Sequence, residues 1–160
     1  MIYKKTWKYI LKYRYTYGLY KIKAVKDFSD IKKEDLGGFV RGYHNLSQTG
    51  DCWIYYNAGA LSDAYIFENA KICDYAQISG NAKIYGNARI MDNARVHDDA
   101  KIFGNARVYE GARIYRDAEI SGNTEYSEIF QDEFFTKINT KENFLIKVKK
   151  WFIKNLGNIF

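Results

Sequence analysis

One six-residue phrase repeats through residues 50–123 of this chain and is clearest as Gly-Asn-Ala-Lys-Ile-Tyr at 80–85. An isoleucine or valine recurs at every sixth position over 54–120, with Ala60 as the one substitution. Two positions before each of these lies a small residue, either Cys52 or an alanine. Apolar residues at spacings of two and six cannot line one face of a helix. The period therefore predicts a chain that turns a corner every six residues and stacks on itself.

Each unit divides into two corner residues and a four-residue strand. Alternation along the strand points the alanine and the isoleucine inward and the two residues that follow them outward. The corners are rich in Gly, Asn and Asp, which tolerate left-handed backbone angles at least cost. A strand this short needs a neighbour directly above it, so three units per coil would align side chains that are eighteen residues apart. Twelve units predict about four coils, or roughly 19 Å of prism.

The repeats resemble the hexapeptide-repeat left-handed β-helix, in which a small residue follows an aliphatic one by four positions. Ile78 with Ala82 and Ile84 with Ala88 show this pattern, which covers about half of the chain. The resemblance implies an all-β solenoid, a left-handed parallel β-helix. We expect an N-terminal β-hairpin cap before it and a C-terminal amphipathic α-helix after it.

A second resemblance lies in the leader, residues 27–49. Asp-Leu-Gly-Gly-Phe-Val at 35–40 and Asn-Leu-Ser at 45–47 are similar to the leader of a family of phage and prophage hexapeptide-repeat proteins. The function of that family is mostly unassigned, so the resemblance implies a phage origin more than an activity. Physically, the paired glycines would allow a tight reversal, and Phe39 with Val40 would plug the open end of the prism, since bare strand edges invite aggregation.

The net charge of +6 is unevenly distributed along the chain. Residues 1–49 carry +7 and form the predicted basic, aromatic hairpin and N-terminal cap. Residues 50–124 carry −2 and form the predicted β-helix, while residues 125–160 carry +1 and form a linker with the C-terminal helix. The first 26 residues hold eight basic groups and no acid, and Gly18 offers a turn between two strand-like runs.

The C-terminal segment 141–160 has the apolar periodicity of an amphipathic helix. Such a helix would pack on the prism, pair with a second copy of the chain, or lie on a membrane surface. Its apolar face would consist of Leu145, Val148, Phe152, Leu156 and Ile159.

The remaining sequence features indicate a reduced, cytoplasmic protein. No run of eighteen apolar residues is present to span a bilayer. The first ten residues lack the apolar core of a secretory signal. Cys52 would point inward and Cys73 outward, so the two are badly placed to form a disulfide.

Three outward files of side chains are predicted by the stacking, and one of them consists of Gln77, Arg95 and Arg113. Large rings form an exposed file, Phe67-Tyr85-Phe103, of a kind that usually marks a contact surface or stabilises neighbouring coils. A second file begins at Trp53 and continues with Lys71, Arg89 and Arg107. Near it, acids at three corners would form solvated charge pairs that hold the register: Asp74, Asp92 and Glu110.

Catalysis is the first alternative, because many left-handed β-helix proteins are acyl-CoA-dependent acyltransferases with a histidine base. Here the histidines are His44 and His97, and no loop of ten or more residues interrupts the coils to form an acceptor pocket. A general base needs both a pocket and partner geometry. No metal-ligand spacing and no cofactor motif is present either, so we predict no cofactor and no metal.

The composition therefore favours a non-catalytic binding protein with a host protein, a nucleoprotein complex or nucleic acid as its partner. A concrete version is a phage-derived, anti-CRISPR-like inhibitor that blocks a host nuclease or its nucleic-acid site. A second alternative is a structural or assembly protein that binds another copy of itself. Cations interleaved with rings grip phosphates and stack bases, so the predicted binding residues are Lys4, Lys5, Trp7, Lys8, Lys12, Arg14, Tyr15, Tyr85, Phe103, Arg89 and Arg107.

Overall fold

The protein is a parallel β-solenoid of about five turns, as a computed structural model describes it for residues 7–123, 125–127 and 137–139. The first three strands are the longest: β1 (Tyr9–Tyr15), β2 (Leu19–Ala24) and β3 (Leu36–Val40). Single 3-10 turns lie at Thr16–Gly18 and Tyr43–Asn45. The remaining strands are β4 (Trp53–Ile54), β5 (Gly59–Ala60), β6 (Tyr65–Ile66), β7 (Lys71–Ile72), β8 (Gln77–Ile78), β9 (Lys83–Ile84), β10 (Arg89–Ile90), β11 (Arg95–Val96), β12 (Lys101–Ile102), β13 (Arg107–Val108), β14 (Arg113–Ile114), β15 (Glu119–Ser121), β16 (Glu125–Tyr126) and β17 (Lys137–Asn139).

Three sheets form the walls of the solenoid. The first wall has seven strands in the order β1-β2-β3-β5-β8-β11-β14. The second wall is β4-β7-β10-β13-β16, and the third is β6-β9-β12-β15-β17. Strands of the repeat pair in parallel at a separation of eighteen residues, so that Arg89 lies between Lys71 and Arg107. The predicted all-β solenoid and its eighteen-residue stacking are confirmed.

The interior consists of the small and branched residues that the period predicts. The alanines from Ala58 to Ala112 and the branched residues from Ile54 to Val108 are completely buried. Small and branched residues thus alternate through the narrow interior of the prism and form one continuous buried cluster. Cys52 occupies the first small position and is also buried, while Cys73 points outward and is half-buried.

The solenoid has about five turns rather than the four expected. The additional rungs lie outside the repeat as it was read from the sequence. Val40 of β3 pairs in parallel with Ala60, before the first unit. At the other end, β16 pairs with β13 and β17 pairs with β15. These strands extend the stack even though their sequences depart from the Gly-Asn-Ala-Lys-Ile phrase.

Corner acids bind backbone groups of the next coil instead of forming the predicted charge pairs. Asp74 accepts a hydrogen bond from the backbone N–H of Asp92 at 3.2 Å, and Asp92 accepts one from that of Glu110 at 2.9 Å. All three residues have positive φ angles near 55–60°. A left-handed angle costs about 1–2 kcal/mol in a non-glycine residue, and the charged hydrogen bond to the adjacent coil offsets this cost.

The N-terminal end is closed by the predicted hairpin. β1 and β2 pair antiparallel, and β2 pairs antiparallel with β3. The expected reversal at Gly37 and Gly38 is wrong, because both glycines lie inside β3. A Cβ on Gly38 would lie 2.3 Å from the carbonyl oxygen of Ala58, so these glycines allow close packing rather than a turn. The predicted plug is therefore a rung of the first wall.

The C-terminal helix predicted at 141–160 and the linker before it lie outside the described residues, apart from β16 and β17. Within the part of the chain that the structure describes, no helix has the length and apolar character needed to cross a membrane.

Gly38→Ala should destabilise the protein strongly, because its Cβ would meet the Ala58 carbonyl at 2.3 Å and a methyl group of Ile54 at 2.5 Å. We expect the free energy of unfolding to fall by about 1–3 kcal/mol or more, as for other overpacked sites. Gly59→Ala is the matched control, because there the nearest atoms lie 3.7–3.8 Å away. Urea unfolding of both variants tests this, and equal losses would contradict the packing explanation.

Asp92→Ala should lower the free energy of unfolding by about 1.5–3 kcal/mol, because it removes a charged hydrogen bond and leaves a left-handed residue uncompensated. Asp92→Asn should cost much less, because an asparagine tolerates the angle and its amide oxygen still accepts from Glu110. Chemical denaturation of the two variants measures the difference. A smaller loss for the alanine variant than for the asparagine variant would refute the corner-cap role.

Candidate interaction surface

Lys8, one of the predicted binding cations, is buried. Its Nζ donates hydrogen bonds to the carbonyl oxygens of Cys52 at 2.8 Å and Gly50 at 3.2 Å, and it lies 3.2 Å from the Cys52 sulfur. Burial lowers the pKa of Lys8 and raises that of Cys52. Only 2% of Lys8 is exposed, so the surface position expected for it is wrong. Its ammonium group instead satisfies two carbonyl groups at the first corner.

Trp53 occupies an outward position of the second wall, yet it is 1% exposed. The leader and the hairpin cover it: the Phe28 ring of the leader meets it edge-on at 5.4 Å, and the Tyr9 ring of β1 meets it edge-on at 6.3 Å. Asp30 holds this cover by binding the Lys71 ammonium group at 2.5 Å and the Tyr55 hydroxyl at 2.8 Å. These bonds, with the Lys71 bond the stronger, lower the pKa of Asp30 to about 2.

The other predicted hairpin residues fall into three groups. Lys4 and Lys5 lie outside the described residues. Trp7 is half-buried against Tyr43, with 4.9 Å between ring centroids. The three remaining cations and rings of the prediction are exposed on β1: Lys12, Arg14 and Tyr15.

The predicted wall residues lie around a single corner, between the third and second walls. Tyr85 and Phe103 stack at 4.9 Å, and Phe67 stacks on Tyr85 at 4.8 Å. Each of these three rings is half-buried, because its neighbours in the file cover part of it. The file was expected to be exposed, and it is only partly so. Arg89 and Arg107 follow on the second wall, in register with each other.

An asparagine ladder separates the rings from the arginines at this corner. Asn69, Asn87, Asn105 and Asn123 form side-chain hydrogen bonds from each coil to the next, at 2.8–3.2 Å. Amide ladders of this kind hold neighbouring coils in register. The stacked rings and the asparagine ladder therefore both stabilise contacts between neighbouring coils, and this structural role accounts for them without a ligand.

The first wall carries the predicted binding cations Lys12 and Arg14 together with four cations that were not predicted as binding residues: Lys21, Lys23, Arg95 and Arg113. Its seven strands contain six Lys or Arg residues and no acid. Arg95 and Arg113 lie in register on its outer face and are exposed. The hairpin belongs to the same sheet, so Lys12 and Arg14 lie on the strand that ends it. The sequence does place Arg95 and Arg113 eighteen residues apart, in one file. It does not show that the hairpin, with Lys12 and Arg14, belongs to the same sheet.

All three walls contain ion pairs, but among the described residues Lys23 is the one strand cation of the first wall that forms one, with Glu34. On the second wall, Arg107 binds Glu125 at 3.4 Å and Lys71 binds Asp30. On the third wall, Lys101 binds Glu119 at 3.1 Å. Among the described residues, Arg95 and Arg113 form no ion pair within 4 Å. The first wall therefore has the largest uncompensated positive charge on its strands.

The histidines lie apart, in regular surface positions. The His97 Nδ1 is 3.1 Å from the Asp98 carboxylate, and its ring stacks on Tyr115 at 5.5 Å. This hydrogen bond, with a second from the backbone N–H of Arg116, lowers the pKa of Asp98. His44 binds the carbonyl oxygen of Ser62 at 2.9 Å. Across the described ranges, no three His, Cys, Asp or Glu side chains gather as metal ligands.

Comparison with known proteins supports the fold and leaves the function open. A family model described as the YdcK beta solenoid repeat matches residues 82–98 and 100–116. These two segments lie in the middle coils, so the chain is similar to that family in its repeat. No curated protein matches the chain.

The hydrogen bonds that Lys71 and Tyr55 donate to the Asp30 carboxylate should make the free energy of unfolding depend on pH. The carboxyl has a pKa of about 2 when folded and 3.8 when unfolded, so the unfolded state binds more protons between these values. The stabilisation is complete above about pH 5 and is largely lost as the pH falls to the folded pKa of about 2. Urea unfolding from pH 6 to 2 should show that Asp30→Asn is less stable than the wild type at pH 6 and equally stable near pH 2.

A difference between wild type and Asp30→Asn that is constant over this range would contradict the assignment. Because Asp30 is largely exposed, added salt should reduce the difference at pH 6.

Proposed function

We propose that this chain is a non-catalytic binding protein that presents its first wall to an anionic partner. The observation that carries the proposal is the set of strands with six cations and no acid, of which Arg95 and Arg113 are unpaired among the described residues. A rigid, flat file of cations in register suits a phosphate backbone better than a small ligand, because a flat wall encloses nothing.

The partner that fits this chemistry is a nucleoprotein, with the contact made to its nucleic acid. A basic wall repels the basic groove in which a nuclease holds its nucleic acid, but it attracts the nucleic acid itself. The exposed rings of Tyr13 and Tyr15 on β1, and the half-buried ring of Tyr115 that stacks on His97 just after β14, would supply stacking surfaces. We therefore propose an inhibitor that covers the nucleic acid of a host defence nuclease.

The finer class of the protein is part of the same proposal. The Leu-Gly-Gly-Phe-Val leader and the Gly-Asn-Ala-Lys-Ile repeat support a phage or prophage origin and a left-handed hexapeptide-repeat solenoid. A phage protein of this size, with a rigid frame and exposed cations, is suited to obstruct a larger machine.

The double variant Arg95→Glu/Arg113→Glu should weaken binding to labelled RNA more than tenfold at 0.15 M salt. It should also lower the slope of log affinity against log salt by about 2, because two phosphate contacts are lost. Fluorescence anisotropy over a salt series measures both quantities. Inhibition of target cleavage by a panel of RNA-guided nucleases should decline in parallel.

The control is Lys26→Glu/Lys83→Glu, which changes the net charge equally but at exposed residues outside the strands of the first wall. It should retain binding within about threefold. Equal losses of RNA affinity in the two double variants would show that only the net charge matters and would contradict a site on the first wall. Wild-type protein that binds no RNA would refute the proposal.

A further inference from the structure

The outer edge of β1 is the end of the seven-stranded first wall. Strand edges present backbone N–H and C=O groups that other chains can pair with. Half of this edge is closed by side chains of the same protein. The Gln48 amide accepts hydrogen bonds from the N–H groups of Lys8 and Tyr9, at 2.8 and 3.2 Å, and donates one to the Tyr9 carbonyl at 3.2 Å. This amide occupies the place that a neighbouring strand would take.

The closure stops in the middle of the strand. The Leu11 N–H donates to the Tyr43 hydroxyl at 3.4 Å, and beyond Leu11 no side chain of the described residues binds the edge. A register shift between Leu11 and Tyr13 places a bulge at Lys12 and separates the closed half from the rest. From Lys12 to Tyr15 every residue is exposed, with Tyr13 at 50% and Tyr15 at 48%.

The charges of this open half indicate what can pair with it. Lys12 and Arg14 form no ion pair within 4 Å among the described residues. A second copy pairing antiparallel about Tyr13 would place Lys12 opposite Arg14, and like charges directly opposite each other destabilise a ladder. The first six residues of the chain carry Lys4 and Lys5 and no acid, so their charge is not complementary.

We propose that the open half of the β1 edge binds an extended, acidic peptide segment of a partner protein as an added strand. Its main chain would bond to the free edge, and its acidic side chains would lie across from Lys12 and Arg14. Backbone pairing would supply the affinity, and the two cations would select acidic strands over basic ones. The proposal stands apart from the nucleic-acid contact of Arg95 and Arg113, because it uses the edge of the sheet and not its face.

The test is fluorescence anisotropy with a labelled octapeptide that alternates glutamate with valine, capped at both ends. Two control peptides have the same sequence with N-methylated amides, one at the glutamates and one at the valines, so that each removes the donors on one edge of the strand. A third control replaces every glutamate with lysine. We expect at least tenfold weaker binding for one of the two methylated peptides and for the lysine peptide.

Protein variants locate the site. Lys12→Glu/Arg14→Glu should abolish binding of the acidic peptide, while Lys26→Glu/Lys83→Glu and Arg95→Glu/Arg113→Glu should bind it within about threefold of wild type. If Arg95→Glu/Arg113→Glu loses RNA binding but retains the peptide, the two proposals are supported separately. Backbone amide signals of residues 12–15 should shift when the peptide is added.

Three results would overturn the proposal. Equal binding of the methylated and unmethylated peptides would show simple charge attraction without strand addition. If a single-stranded uridine oligonucleotide binds in a way that requires Lys12 and Arg14, and the peptide does not bind, the edge is a nucleic-acid site. A dimer in light scattering that is abolished by Lys12→Glu/Arg14→Glu would assign it to a second copy of the chain.

Discussion

The structure depends on one repeated contact, the backbone hydrogen bonding between a strand and the strand eighteen residues further on. The N–H of Lys83 donates to the carbonyl of Ala100 at 2.9 Å, and that of Lys101 donates to the carbonyl of Ala118 at 2.8 Å. A two-residue strand has almost no stability of its own, so this ladder must form together with the buried files of alanine and isoleucine. Side chains at the corners then reinforce the same register, through the aspartates, the asparagine ladder and the stacked rings.

Because the register is fixed, outward side chains form straight files. The charge of each wall therefore depends on whether the cations of its file are paired with acids. On the second and third walls, Lys71, Lys101 and Arg107 bind acids of neighbouring coils or of the leader. The first wall continues into the hairpin instead, and its strands add cations of which, among the described residues, Lys23 alone binds an acid, Glu34 of the leader. The proposed binding function thus arises from the way in which the N-terminal segment joins the solenoid.

The period alone predicted the walls, the core and the stacking, since inward and outward positions follow from alternation within each unit. It could not predict which outward positions another segment covers. Trp53 and Lys8 are buried by the leader and the first corner, contacts between residues that are 25 or more positions apart. It also missed β3 as a rung, because Gly37 and Gly38 resemble a turn in sequence but serve close packing here. The predicted sites at Arg89, Arg107, Tyr85 and Phe103 stay predictions. Arg89 and Arg107 belong to the second wall, whereas β1 belongs to the first.

Disulfide trapping tests the eighteen-residue register most directly. In a Cys52→Ala/Cys73→Ser background, Gln77→Cys paired with Arg95→Cys would place two cysteines on adjacent rungs of the first wall, at the strand spacing of about 4.8 Å that a disulfide accepts. Gln77→Cys paired with Lys101→Cys places them on different walls. The account predicts rapid oxidation of the first pair within the monomer and none of the second. Efficient cross-linking of the second pair, or none of the first, would contradict it.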